Sequence, residues 1–218
     1  MSIRENIKRL LAELPPGVRL MAAIKGRQPD EVLAAVEAGV SLLGENYVQE
    51  AERVCPLVDT RAEWHLIGHL QRNKVKKAVS IFDMIETVDS LEIAREIDRR
   101  AGQAGKVMPV LIEVNSGYEK AKSGVLPETA GLLARELAGL VHIKLMGLMT
   151  VGPLTGRPED SRPYFRNTRE LLHAIGAMGL PGVEMKYLSM GMSDSYRVAV
   201  EEGANIIRIG TSIFGYRP

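Results

Sequence analysis

Three short stretches carry side chains whose types could do chemistry together. RLMAAIKG (19–26) is an apolar run ending on Lys25. That amine is either the first solvated residue beyond a strand or a nucleophile facing a pocket. LSMGMSDS (188–195) and IIRIGTS (206–212) set small hydroxyl residues beside glycines, where backbone N–H groups can approach an anion closely. Ser189, Met190, Gly210 and Thr211 could cradle a phosphate in this way, or could simply cap the helices that follow. Arg208 interrupts an apolar run. A guanidinium is costly to bury unpaired, so it either reaches outward or points into a pocket toward an acceptor.

Other candidates are weaker. His65 and His69, in HLIGHL (65–70), would suit a metal only on one helix face, and a strand with Gly68 separates them, so no metal site is expected. Asn46 and Tyr47, in GENY (44–47), read as helix cap and core or as groups reaching toward Lys25. The basic QRNKVKKAV (71–79) reads as a solvated helix face, because 28 Lys and Arg against 27 acids give a net charge of +1 and no general pull toward nucleic acid. Met146, Met149, Met190 and Met192 read as interior filling.

Something must hold these residues at one place. Eight strand-like runs are visible, at 19–25, 41–45, 63–68, 81–88, 107–115, 142–150, 185–190 and 205–211. Between them lie helical patterns such as PDEVLAAVEAG (29–39), with proline near its start and glycine at its end, and SLEIAREIDRRAGQAG (90–105), with Ser90 as cap. Eight strands joined by helical crossovers predict a parallel α/β architecture, and the count favours a (β/α)8 TIM barrel with an extra N-terminal helix (1–14) over an open sheet. No G-x-G-x-x-G follows the first strand, which argues against a dinucleotide-binding sheet. Active sites of such barrels lie at the C-terminal strand ends, where Lys25, Asn46, Arg208 and the two glycine loops fall.

The chain has 218 residues, 45% hydrophobic and 25% charged, suited to one domain over 1–218. Cys55 is the single cysteine, so an intramolecular disulfide is excluded and a reducing, cytoplasmic setting is expected. The charged N-terminus lacks the pattern of a signal peptide, and no run is long enough to span a membrane.

The motifs GENYVQE (44–50), WHLIGHLQRNKVK (64–76), KSGV (122–125), GLMTVGP (147–153), LSMGMSDSY (188–196) and IIRIGTSIFG (206–215) together resemble the pyridoxal phosphate homeostasis proteins, the YggS/PROSC family related to the barrel half of alanine racemase. The resemblance runs almost end to end. It implies a barrel holding pyridoxal 5′-phosphate as a Schiff base on Lys25. Ser189, Met190, Gly210 and Thr211 match the positions that hold the phosphate, Arg208 the arginine facing the ring nitrogen, and Asn46 a residue lining the ring pocket. The family's usual AVSKTKP reads AAIKGRQP here, so Ile24 and Gly26 replace hydroxyl residues beside the lysine and put the local hydrogen bonding in question.

An arginine stays protonated and can only donate, which leaves the ring nitrogen unprotonated and the ring a poor carbanion sink. A racemase also needs acid/base groups on both faces of the substrate carbon. In alanine racemases the second is a tyrosine from the other subunit, and this chain stops at FGYRP with no residues for the extra domain. The expectation is a monomeric carrier serving vitamin B6 homeostasis and pyridoxal-dependent apo-enzymes, without robust catalysis. The alternative is a weak or narrow amino-acid racemase recruiting Tyr47 or another residue.

Overall fold

The eight apolar runs close into a barrel. The computed structural model describes residues 2–58, 62–119, 121–153 and 157–216, so both expected domain bounds, 1 and 218, lie outside the described residues. Helix α1 (Ile3–Glu13) precedes β1 (Arg19–Ala23), followed by α2 (Pro29–Glu37), β2 (Leu42–Glu45), α3 (Val48–Val54) and β3 (Glu63–Leu66). Next come α4 (Val75–Ile81), β4 (Met84–Val88), α5 (Leu91–Gln103), β5 (Met108–Val114) and α6 (Pro127–Leu137). The chain ends with β6 (Ile143–Thr150), α7 (Arg162–Gly176), β7 (Val183–Ser189), α8 (Tyr196–Glu201), β8 (Ile206–Ile209) and α9 (Thr211–Phe214). Each strand pairs in parallel with the next, and β8 returns to β1 with Arg19 opposite Ile206 and Ala22 opposite Ile209.

Local sequence accounts for the helix starts. Ser2 and Glu5 form a reciprocal capping box, with the Ser2 N–H donating to Glu5 Oε2 at 2.7 Å. Ser90 Oγ accepts from the Ile93 N–H at 3.4 Å, and Pro29 opens α2 with the φ a first turn needs. Several expected boundaries move, those of β1 and β4 among them. β1 stops at Ala23, so Lys25 lies in the loop two residues beyond. β4 starts at Met84 rather than Ile81, because Val75, Ala78 and Val79 bury one face of α4 that Ile81 completes. Lys76 and Lys77 stay exposed on the other face of that helix.

Strand alternation divides the buried residues into two layers. One parity, including Leu20, Ala22, Ile24, Leu43, Leu66, Ile85, Ile112, Leu188, Ile207 and Ile209, packs outward against the helices. The other points into the barrel: Met21, Leu42 and Ile206 form one inner cluster, Met84, Leu111, Met146 and Met149 another. Inside with them sit His65, Glu86, Ser189 and Arg208, all buried. Among the described residues no helix is long and apolar enough to cross a membrane.

Candidate functional site

Met21 faces inward on β1, and the same parity carries Ala23 and Lys25 toward the barrel mouth. Lys25 is half-buried, and its Nζ lies 4.9 Å from the centre of the Tyr47 ring. Ile24, between them, belongs to the outer core. Gly26 has φ +68°, a left-handed conformation that favours glycine, and its N–H donates to Glu50 Oε2 at 2.7 Å. The two residues that depart from the family pattern therefore serve packing and backbone shape.

Lys25 lines a hollow of about 240 Å³ with Arg27, Asn46 and Gly215. Its other walls, Ala23, Gly210, Thr211 and Tyr216, are shared with a larger cavity of about 640 Å³ that reaches Arg208, Met192, Ser193, Asp194 and Ser212. The two adjoin across these four residues, so the lysine amine and the arginine face neighbouring parts of one depression. The loops after β7 and β8 are tied together across it: the Ser212 N–H donates to Ser193 Oγ at 3.2 Å. Ser193 thus accepts from the protein and keeps its own O–H to donate. Arg27 closes the rim, with Nη2 donating to the Gly215 carbonyl at 2.6 Å and the guanidinium 5.0 Å from the Phe214 ring.

Asn46 is held by Glu45, whose Oε1 accepts from the Asn46 and Tyr47 N–H groups at 2.6 and 3.1 Å. Burial pushes the Glu45 carboxyl up to about 7, against those two bonds.

Beneath the depression runs a buried polar ladder. Arg208, 5% exposed, donates from Nη1 to Ser189 Oγ and from Nη2 to the Thr150 carbonyl, both at 2.7 Å. Ser189 Oγ donates to Glu86 Oε2 at 2.6 Å, and Glu86 Oε1 meets His65 Nδ1 at 2.7 Å. Burial opposes the charge on Glu86, but His65 and Arg208 outweigh it and lower its pKa. Burial likewise works against charge on His65, and Glu63 and Glu86 outweigh it, so its pKa is raised. Glu113, on the inner face of β5, has a buried and unpartnered Oε2, and burial together with the charge of Asp89 pushes it up to about 7.

Of the seven expected site residues, the structure brings Lys25, Asn46, Arg208, Gly210 and Thr211 to one depression. Ser189 and Met190 are not on its walls. Met190 has outward parity, is fully buried in the outer core, and spends its N–H on the Ile206 carbonyl at 3.1 Å. Ser189 points inward but lies in the ladder below the mouth. Sequence reasoning missed Ser193, Ser212, Glu86 and Glu113. Glu86 carried a signal: it is a lone acid in the apolar MIETV as Arg208 is a lone base in IIRI. His65 is fully buried and His69 is more than half exposed beside Asp89, so the two do not meet. Among the described residues no group of three or more His, Cys, Asp or Glu could hold a metal.

The depression fits a phosphorylated aromatic aldehyde. It offers an amine at one end, a charged donor on its floor, and the hydroxyl residues Ser193, Thr211 and Ser212 beside Gly210. A Cβ on Gly210 would stand 3.5 Å from the Ala23 carbonyl oxygen, an ordinary contact at a wall the two hollows share.

Comparison with known proteins gives the family. The family model described as alanine racemase, N-terminal domain, matches residues 1–218, which sets the class of the barrel. The structure superposes on an alanine racemase of Clostridium difficile with TM-score 0.84 at 18% identity, covering 100% of this chain and 57% of that one, a likeness of fold alone. A pyridoxal phosphate homeostasis protein of Aquifex aeolicus is 42% identical over 200 residues, 91% of this chain and 87% of the relative. PipY of Synechococcus elongatus, 34% identical, has been solved without and with pyridoxal phosphate bound. Those structures give TM-scores of 0.92 and 0.89, each covering 98% of this chain and 100% of that one. The chain belongs to the pyridoxal phosphate homeostasis protein family. Its curated relatives are named for homeostasis rather than for a reaction.

Proposed function

We propose that the chain binds pyridoxal 5′-phosphate in the depression between Lys25 and Arg208 and serves intracellular vitamin B6 homeostasis, with residues 1–218 acting as one cofactor-binding barrel. The observation that carries this reading is the shared wall of the two hollows: an amine, a buried guanidinium and three hydroxyl residues gather around Ala23 and Gly210. The cofactor, when bound, supplies an aldehyde that combines with amines and a ring that withdraws electrons from them. Lys25 provides the amine for attachment. Thr211, Ser193 and Ser212 surround the phosphate with hydroxyls at Gly210, in place of the expected Ser189 and Met190. Asn46 borders the ring.

Binding without fast turnover follows from Arg208. A guanidinium only donates hydrogen bonds, so the ring nitrogen it meets stays unprotonated and the ring withdraws electrons weakly. Tyr47, the candidate second base of a racemase, meets the lysine amine through its ring. A cytoplasmic carrier for pyridoxal-dependent apo-enzymes fits these features.

The test is an absorbance titration of the purified protein with pyridoxal 5′-phosphate, followed by borohydride reduction and peptide mapping. The expected result is a new visible band and a reduced adduct on Lys25, both absent from Lys25→Ala. An unmodified Lys25, or an equal adduct in Lys25→Ala, overturns the reading. Deuterium exchange at the alanine Cα at a useful rate, abolished in Lys25→Ala, would favour the racemase instead.

A further inference from the structure

We infer that Glu86, acting through the Ser189 hydroxyl, is the positioning residue that fixes Arg208 for the cofactor's ring, and that His65 is the buried counter-cation of Glu86. The inference rests on the cofactor reading above and deepens it. It gives Ser189 a role the family resemblance did not.

Hydrogen-bond directions leave little freedom. A guanidinium has no acceptor, and an ionised carboxylate has no donor. Ser189 Oγ lies 2.7 Å from Arg208 Nη1 and 2.6 Å from Glu86 Oε2, so its single proton points to Glu86 and a lone pair to Arg208. The hydroxyl is locked. Since Glu86 accepts, His65 Nδ1 must donate across its 2.7 Å bond to Oε1. His65 Nε2 then faces Glu63 Oε2 at 3.6 Å, and Glu63 pairs with Arg19 at 2.9 Å on the far rim of the barrel. From rim to mouth basic and acidic side chains alternate: Arg19, Glu63, His65, Glu86, Arg208. His65, Glu86 and Ser189 are each fully buried, so the middle of the ladder is walled from solvent, while Glu63 at the rim is exposed.

The serine spacer has a geometric purpose. A direct arginine–carboxylate pair is commonly bidentate and would turn the planar fork toward β4. Routing the charge through a hydroxyl occupies one Nη1 hydrogen, and the Thr150 carbonyl one on Nη2. Three of the five N–H groups remain for whatever fills the depression that Arg208 lines. Glu113 also acts on Arg208 from β5, but its carboxyl, pushed up to about 7, is a part-time partner at neutral pH. Glu86 is the permanent one.

Two variants test the ladder, each with a readout that a merely structural role would leave in place. Ser189→Ala deletes one hydroxyl and no charge. Its expected effect is a Kd for pyridoxal 5′-phosphate raised about tenfold, the loss of one charge-assisted bond. The ¹⁵N resonance of the labelled ring nitrogen moves from its position in the parent protein, while saturating cofactor is still trapped on Lys25 by borohydride. Glu86→Gln is read in the cofactor-free protein by ¹⁵N titration of the His65 ring, on which Glu63 and Glu86 act. The His65 midpoint should fall by about one pH unit or more. An unchanged ring-nitrogen resonance and Kd in Ser189→Ala overturns the positioning role. An unchanged His65 midpoint overturns the counter-ion role. Should Glu86→Gln not fold, Ser189→Ala decides alone. If the parent protein puts no cofactor on Lys25, the binding reading fails, yet the His65 titration still reports on the ladder.

Discussion

The same eight strands face two interiors of opposite character. Between strands and helices the packing is aliphatic and aromatic, with Phe165, Ile7, Leu10 and Ile97 fully buried. Inside the barrel, methionines share the space with His65, Glu86, Ser189 and Arg208. Neighbouring residues on one strand thus serve different ends: Leu188 packs against helices while Ser189 carries a proton-directed bond. Alternation lets one short strand contribute to stability with one face and to ligand chemistry with the other. If this division is real, the two layers should fail differently.

The largest effect on stability is expected from the outer layer. Phe165→Ala, emptying a fully buried site on α7, should cost about 3–5 kcal/mol in urea unfolding. Below its shifted transition the variant should still bind pyridoxal 5′-phosphate with unchanged affinity and yield the borohydride-reduced adduct on Lys25. Loss of cofactor binding in a folded Phe165→Ala protein would break the comparison.

A smaller effect, dependent on pH, belongs to the inner layer. Burial and Asp89 push Glu113 up to about 7, and burial does the same for Glu45. A carboxyl raised in the folded state holds its proton longer there than in the unfolded chain. The contribution of these two carboxyls therefore falls as pH rises from the unfolded value of 4.5 toward 7, then levels. Glu113→Gln should remove its part of that slope, raising stability at pH 8 relative to pH 4 by about 1–3 kcal/mol over the parent. Glu45 and His65, both raised, maintain a slope of the same sign. Equal slopes in parent and variant would show that the Glu113 carboxyl is better solvated than its buried, unpartnered Oε2 implies.

Much of this was legible along the chain. The eight apolar runs, the caps at Ser90 and Pro29, and the gathering of Lys25, Asn46, Arg208, Gly210 and Thr211 at the strand ends follow from local pattern and barrel geometry. Two features were not. Ser189 and Met190 were read as cradle residues, but wall membership depends on depth and parity, which a run of small residues does not encode. The ladder was hidden for a different reason. Arg208 announces a missing acceptor, yet Glu86 stands 122 residues away and touches it only through a third strand. A lone charge in an apolar strand predicts that a partner exists; only closure of the barrel says which.

The smallest expected effect sharpens the comparison at its boundary, where β1 leaves the barrel. The family's hydroxyl residue after the lysine is glycine here, which could mean a lost hydrogen bond or a different backbone. With φ at +68° and the N–H committed to Glu50, the backbone explanation holds. Gly26→Ala should then cost about 1 kcal/mol through left-handed strain, measured by urea unfolding. Cofactor affinity should stay unchanged, since the residue is exposed and adds no side-chain donor to the depression. A variant of parental stability but weaker binding would reverse that assignment and make residue 26 part of the inner, chemical layer.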